Sequence, residues 1–123
     1  MSIFNEIFVT EGRLNRLRYL KYMIILAIVA GVSTFVTSSM ATFLTGDPTG
    51  FLVNMVTGIW ALVAGAGNIM LMIRRLHDLG RSGWFAILAI VPVVGMLFSI
   101  YLFCAPGQVG WNKYGADPLA EEY

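Results

Sequence analysis

Charged residues punctuate this chain so sparsely that the apolar stretches between them define its elements. None stands between Lys21 and Asp47, between Asp47 and Arg74, or between Arg81 and Lys113, gaps of 25, 26 and 31 residues. A bilayer core of about 30 Å is crossed by roughly 20 apolar residues in a helix. Three spans fit inside the gaps, at 22–44, 51–73 and 84–104. In lipid each backbone must satisfy its own hydrogen bonds, which favours helices; barrel strands would alternate in polarity, and these runs do not. The expected fold is an all-α integral membrane protein with three transmembrane helices in a single membrane domain. Residues 1–21 form a cytoplasmic N-terminal segment and 105–123 a polar tail.

The breaks between and within the runs refine this picture. Thr45-Gly46-Asp47-Pro48-Thr49-Gly50 has the composition of a turn, and Pro48 disfavours helix at Asp47, so the first two spans form an antiparallel hairpin. Pro92 sits inside the third span, where it removes a donor and frees the carbonyl of Leu88. That predicts a kink at Pro92. The alternative is a re-entrant hairpin that returns the tail to its starting face; 84–91 is too short to cross alone, so such a hairpin must pack within protein. Ile3, Phe4, Ile7 and Phe8 recur at helical spacing, as a short N-terminal interfacial helix or as a flexible end with a few hydrophobes. Stripes rich in small and polar residues run at steps of three and four in span one (Ala27, Gly31, Thr34, Ser38, Thr42, Thr45) and span two (Asn54, Gly58, Ala61, Gly65, Asn68, Met72). Such stripes let membrane helices approach closely, so both are expected to face protein.

Composition changes the picture by exclusion. Of 123 residues, 58% are hydrophobic and 12% charged, against roughly 25% charged in soluble domains. So few charges argue against a soluble domain, and so much apolar content argues against disorder. A net charge of +1 gives no bulk case for nucleic acid. A cleaved leader is disfavoured by the 21 residues before the first run, and two spans would remain in any case.

The basic residues give an orientation. Arg13, Arg16, Arg18 and Lys21 precede span one, Arg74, Arg75 and Arg81 follow span two, and Lys113 alone lies in the tail. With the N-terminus cytoplasmic and the tail outside, seven lie inside and one outside, as the positive-inside rule favours. Tyr101 and Phe103 then fall near the outer boundary.

Three polar clusters are candidates for chemistry: Gly12–Tyr19, Arg74–Trp84 and Pro106–Pro118. Neither a metal nor a cofactor is expected, because a zinc site needs about four ligands and the chain has one His and one Cys, His77 and Cys104. His77, Asp78 and Ser82 make no triad, since adjacent side chains point apart. The arginines hold the inner face in place and snorkel, or they converge on one anionic group such as a lipid phosphate. Asp78 is then either part of that site or a structural partner of the arginines. The candidate ligand-binding set is Arg13, Arg16, Arg74, Arg75, His77, Asp78 and Arg81. Asn112 and Tyr114 join it if the tail lies on the same face.

In this order, these clusters resemble the YhaH-like family of small bacterial inner-membrane proteins, whose shared domain has no assigned function. The resemblance rests on Gly12–Arg16, Arg74–Asp78, Arg81–Trp84, Pro92, and Gly110, Asn112, Tyr114, Gly115, Asp117 and Pro118. Leu20, Trp111 and Lys113 depart from the family's usual residues. The resemblance implies a multi-pass protein of the bacterial inner membrane and no reaction. The functional expectation is a noncatalytic membrane interaction or scaffold protein, partnered by the lipid bilayer and by a homo-oligomer or another membrane protein. The alternatives are binding of an anionic lipid or small phosphate ligand at the arginine cluster, and a transporter or channel subunit.

Overall fold

The computed structural model describes residues 7–119. Residues 1–6, which carry much of the expected N-terminal interfacial helix, lie outside the described residues. Helix α1 spans Arg16–Thr45 and α2 spans Phe51–Asp78. Asn15 starts α1 by accepting from the Arg18 amide at 2.8 Å, a side-chain cap for an orphan donor. Gly46 ends it, its amide donating to the Thr42 carbonyl at 2.7 Å. Asp47 then accepts from the amide and hydroxyl of Thr49, both at 3.0 Å, and the chain turns back into α2 as expected.

At about 1.5 Å per residue these helices are roughly 45 and 42 Å long, ample for a bilayer core. Their hydroxyls donate inside the helices: Thr34 to Ala30, Thr37 to Ser33 and Thr57 to Val53. That is the satisfaction a hydrocarbon setting requires. Trp60 bridges to Thr37 at 3.1 Å, and the Ser38 and Thr57 hydroxyls meet at 3.2 Å. The small-residue stripes are packed only in part. Thr34, Ser38, Thr42 and Ala61 line an open groove of about 930 Å³ between the two helices. Among the described residues, a methyl group added at Gly31, Gly58 or Gly65 would meet no atom within 4 Å beyond the local helix backbone.

The third span, as one helix kinked at Pro92, is not formed. Residues Gly83–Ile90 make a 3-10 helix, and Pro92–Cys104 make a separate helix, α3. Pro92 stands in the first turn of α3, where its missing amide costs nothing. The Leu88 carbonyl accepts instead from the Val91 amide at 3.3 Å, closing the preceding element. The two segments fold back on each other at Gly95, where an added Cβ would lie 2.5 Å from the Ala89 carbonyl oxygen. A residue with a side chain cannot make that approach. At about 2.0 and 1.5 Å per residue, the arms reach only roughly 16 and 20 Å.

Both ends of this hairpin lie at the same end of the α1–α2 pair. Gly83 abuts Ile73 of α2, while the Cys104 and Ala105 carbonyls accept from Arg16 and Arg75. The tail therefore returns to the face that carries Arg13. Tyr101 and Phe103, expected near the opposite boundary, come back with it; the Phe103 ring lies 4.9 Å from that of Tyr19. The main core cluster lies at this end, where Ile7, Leu14, Tyr19, Leu26, Leu71, Met72, Leu76, Phe98 and Leu102 are buried together, while Ala41 and Val53 are buried near the α1–α2 turn. Beyond it α1 and α2 expose Phe35, Phe43, Leu44, Phe51 and Leu62.

Candidate functional site

The last turn of α2 places Arg75 and Asp78 three residues apart, hence on one face. Residues just before α1 bring Arg13 to the same point, fixed by the Leu14 amide donating to the Arg74 carbonyl at 3.2 Å. Asp78 is shared. Its Oδ1 accepts from Arg13 Nε at 3.1 Å and its Oδ2 from Arg75 Nη1 at 2.7 Å. All three side chains are buried, and Arg75 has 0% exposure.

Two guanidinium groups against one carboxylate leave excess positive charge, which backbone carbonyls solvate. Arg75 Nε donates to the Leu102 carbonyl at 2.7 Å, Nη1 to that of Leu14 at 3.3 Å, and Nη2 to that of Ala105. Arg16 adds a bond to the Cys104 carbonyl at 3.1 Å. The final carbonyls of a helix lack intrahelical partners and carry partial negative charge, so these two arginines cap α3. Arg13 does the same for the tail, donating to the carbonyls of Gln108, Gly110 and Gly115.

The tail is held at several further points. The Gln108 amide donates to the Asp78 carbonyl at 2.8 Å, and Asn112 Nδ2 to the His77 carbonyl at 2.9 Å. The Tyr114 ring stacks on His77 with centroids 3.9 Å apart and planes 4° from parallel. His77 Nδ1 lies 3.1 Å from the Gly12 carbonyl, so it carries the proton there. Gly107 passes so close to Asp78 that an added Cβ would fall 2.1 Å from Oδ2.

These groups lie past the apolar 51–73 stretch. Burial pushes the Asp78 carboxyl up from its usual value, while Arg75 and Arg13 pull it back. Burial lowers the His77 pKa against the opposing bond to Gly12, and Arg74 and Lys113 lower it further. His77 is thus held neutral.

The structure brings Arg13, Arg75, His77, Asp78, Asn112 and Tyr114 into one composite cluster, with Arg74 buried beside it. Arg16 and Arg81 lie at the exposed edge by the end of α3, Arg16 on the Cys104 carbonyl next to the one Arg75 holds and Arg81 with its Nε donating to the Tyr101 hydroxyl at 3.1 Å. The partners absent from the sequence reading are the carbonyls of Gly12, Leu14, Leu102 and Ala105, which no residue type announces. Asp117, which accepts from the Gly110 amide at 2.9 Å, lay inside the tail cluster and was findable. Chemically the centre of the cluster is an ion-pair triad, with both Asp78 oxygens engaged by guanidinium groups. Among the described residues no group of three His, Cys, Asp or Glu side chains could hold a metal ion.

A family model described as "Protein of unknown function (DUF805)" matches residues 7–116. The inner membrane protein YhaI of Escherichia coli (strain K12) is 32% identical over 108 residues, covering 88% of this chain and 84% of that protein. The inner membrane protein YhaH of the same strain is 46% identical over 48 residues, 39% of this chain and 40% of that protein. No solved structure matches.

Proposed function

The chain belongs to the DUF805 family of proteins of unknown function, and from that premise we propose that it is a noncatalytic integral inner-membrane protein, acting as a membrane interaction or scaffold protein that self-associates. Its relatives are named as inner membrane proteins, and α1 and α2 are each long and apolar enough to cross a bilayer.

The observation that carries the reading is the space left at Gly31, Gly58 and Gly65. Glycine at helical spacing in a membrane helix serves close approach of another helix, and among the described residues no atom beyond the local helix backbone comes within 4 Å of where a Cβ would stand at these three. The polar cluster is consistent with this reading, because Arg13, Arg75 and Asp78 engage one another and the backbone and tie the tail to the helices. The hairpin also revises the topology we propose. All eight Lys and Arg residues gather at one end of the molecule, and Asp47 lies at the other. The positive-inside rule favours a cytoplasmic side for both the N-terminal segment and the tail, and that is the topology we propose.

The test is cross-linking of the reconstituted full chain with Gly58→Leu and Gly65→Leu together. Loss of the cross-linked oligomer is expected; unchanged association overturns self-association through these faces.

A second reading has its own observation. Arg16 and Arg81 are exposed at the end of α3, and each guanidinium has five donors, suited to the phosphate of an anionic lipid or a small ligand. Native mass spectrometry of the protein with Arg16→Ala and Arg81→Ala tests it through retention of phosphatidylglycerol. Equal retention by wild type and variant removes this reading.

A further inference from the structure

Val109 and Trp111 are 95% and 80% exposed, yet the backbone that carries them is firmly held. The carbonyls on both sides of Val109, those of Gln108 and Gly110, accept from the buried Arg13. The Gly110 amide donates to Asp117, and Asn112 is tied to His77. Two bulky apolar side chains fixed outward on such a frame call for a non-aqueous contact.

The frame's position says which one. Tyr114 shares a shallow pocket of about 360 Å³ with Ile73, His77, Ser82, Gly83 and Trp84. Ile73 ends the apolar stretch of α2, and Trp84, itself 84% exposed, opens that of the hairpin. The 112–114 turn therefore lies level with the boundary where these elements leave the apolar layer. Lys113 belongs to the same turn, its Nζ 5.1 Å from the Tyr114 ring centroid. Arg16, Lys21 and Arg81 are exposed at this end as well. Trp, Tyr and Lys together have the chemistry of a membrane interface, and cations there attract anionic headgroups.

We propose that Val109–Lys113 is a fixed interfacial anchor, seating Val109 and Trp111 at the headgroup–acyl boundary and Lys113 against an anionic phospholipid phosphate. This rests on the reading that α1 and α2 span the same bilayer. The anchor ties the tail to the membrane through its own side chains while Arg13 ties it to the helices.

The experiment uses the full chain in vesicles of phosphatidylcholine and phosphatidylglycerol, with Trp60→Phe and Trp84→Phe leaving Trp111 as the reporter. Blue-shifted emission is expected, with stronger quenching by lipids brominated near the headgroup than by deep ones, and acrylamide quenching several-fold weaker than for tryptophan in solution. Lys113→Gln is expected to weaken that protection in vesicles containing phosphatidylglycerol. A Trp111 as open to acrylamide as free tryptophan overturns the proposal. So does one shielded from both quenchers, which would mean a protein contact. Protection with no response to phosphatidylglycerol overturns the phosphate contact. A companion protein keeping Trp60 alone separates the two readings: deep brominated lipids quench it if α2 spans, whatever Trp111 does.

Discussion

At the scale of residues, the cluster depends on what a guanidinium can do and an ammonium cannot. Arg75 reaches Asp78 and the carbonyls of Leu14, Leu102 and Ala105 from one planar group. Lysine has no such fork. Arg75→Lys is therefore expected to lose nearly as much thermal stability in detergent as Arg75→Ala; rescue by lysine would mean that charge alone suffices. Asp78→Ala leaves two buried cations without a counter-charge and is expected to cost about 3–5 kcal/mol, read as a lowered unfolding midpoint. His77 adds a pH dependence. Its pKa lies below the ordinary 6.5, so the unfolded chain binds the proton more readily. The stability from neutral His77 is present above about pH 6.5 and lost as pH falls through the lowered value. Amide exchange in 106–118 should accelerate over that interval, and His77→Gln should flatten the response.

At the scale of elements, the two long helices were legible because 25 and 26 residues without charge admit few other structures. The third apolar run was not legible to the same degree. Pro92 signals a break in either case, and what distinguishes a hairpin from a kink is that Gly83 abuts Ile73 while the Leu102 and Cys104 carbonyls return to Arg75 and Arg16. Hydrophobicity reports that a segment avoids water; it does not report whether the segment crosses or returns. Gly95→Val is expected to destabilise the hairpin by at least about 2 kcal/mol, since the new side chain meets backbone that has no room to yield. Hydrogen exchange over 83–104 would show it as lost protection confined to that segment, and wild-type protection would contradict the fold-back.

At the scale of the whole molecule, the hairpin converts two separate polar sites into one. A tail on the far side would have left Asn112 and Tyr114 a membrane away from His77; the fold stacks Tyr114 on it. Fluorescent protein fused after Tyr123 is expected to fluoresce and alkaline phosphatase fused there to be inactive, and the reverse pattern would return the tail to the periplasm. By itself the sequence determined the helical class, the two long helices and the turn at Asp47, and it marked the three polar clusters without deciding which of their residues meet. These follow from charge spacing, helix periodicity and turn chemistry, all local along the chain. Only the tertiary structure decided that the third run turns back and that Asp78 is shared by two arginines. It also decided that the tail's carbonyls complete the site. Those outcomes depend on backbone groups meeting across as many as 102 residues, and a carbonyl oxygen is the same in every residue of the sequence.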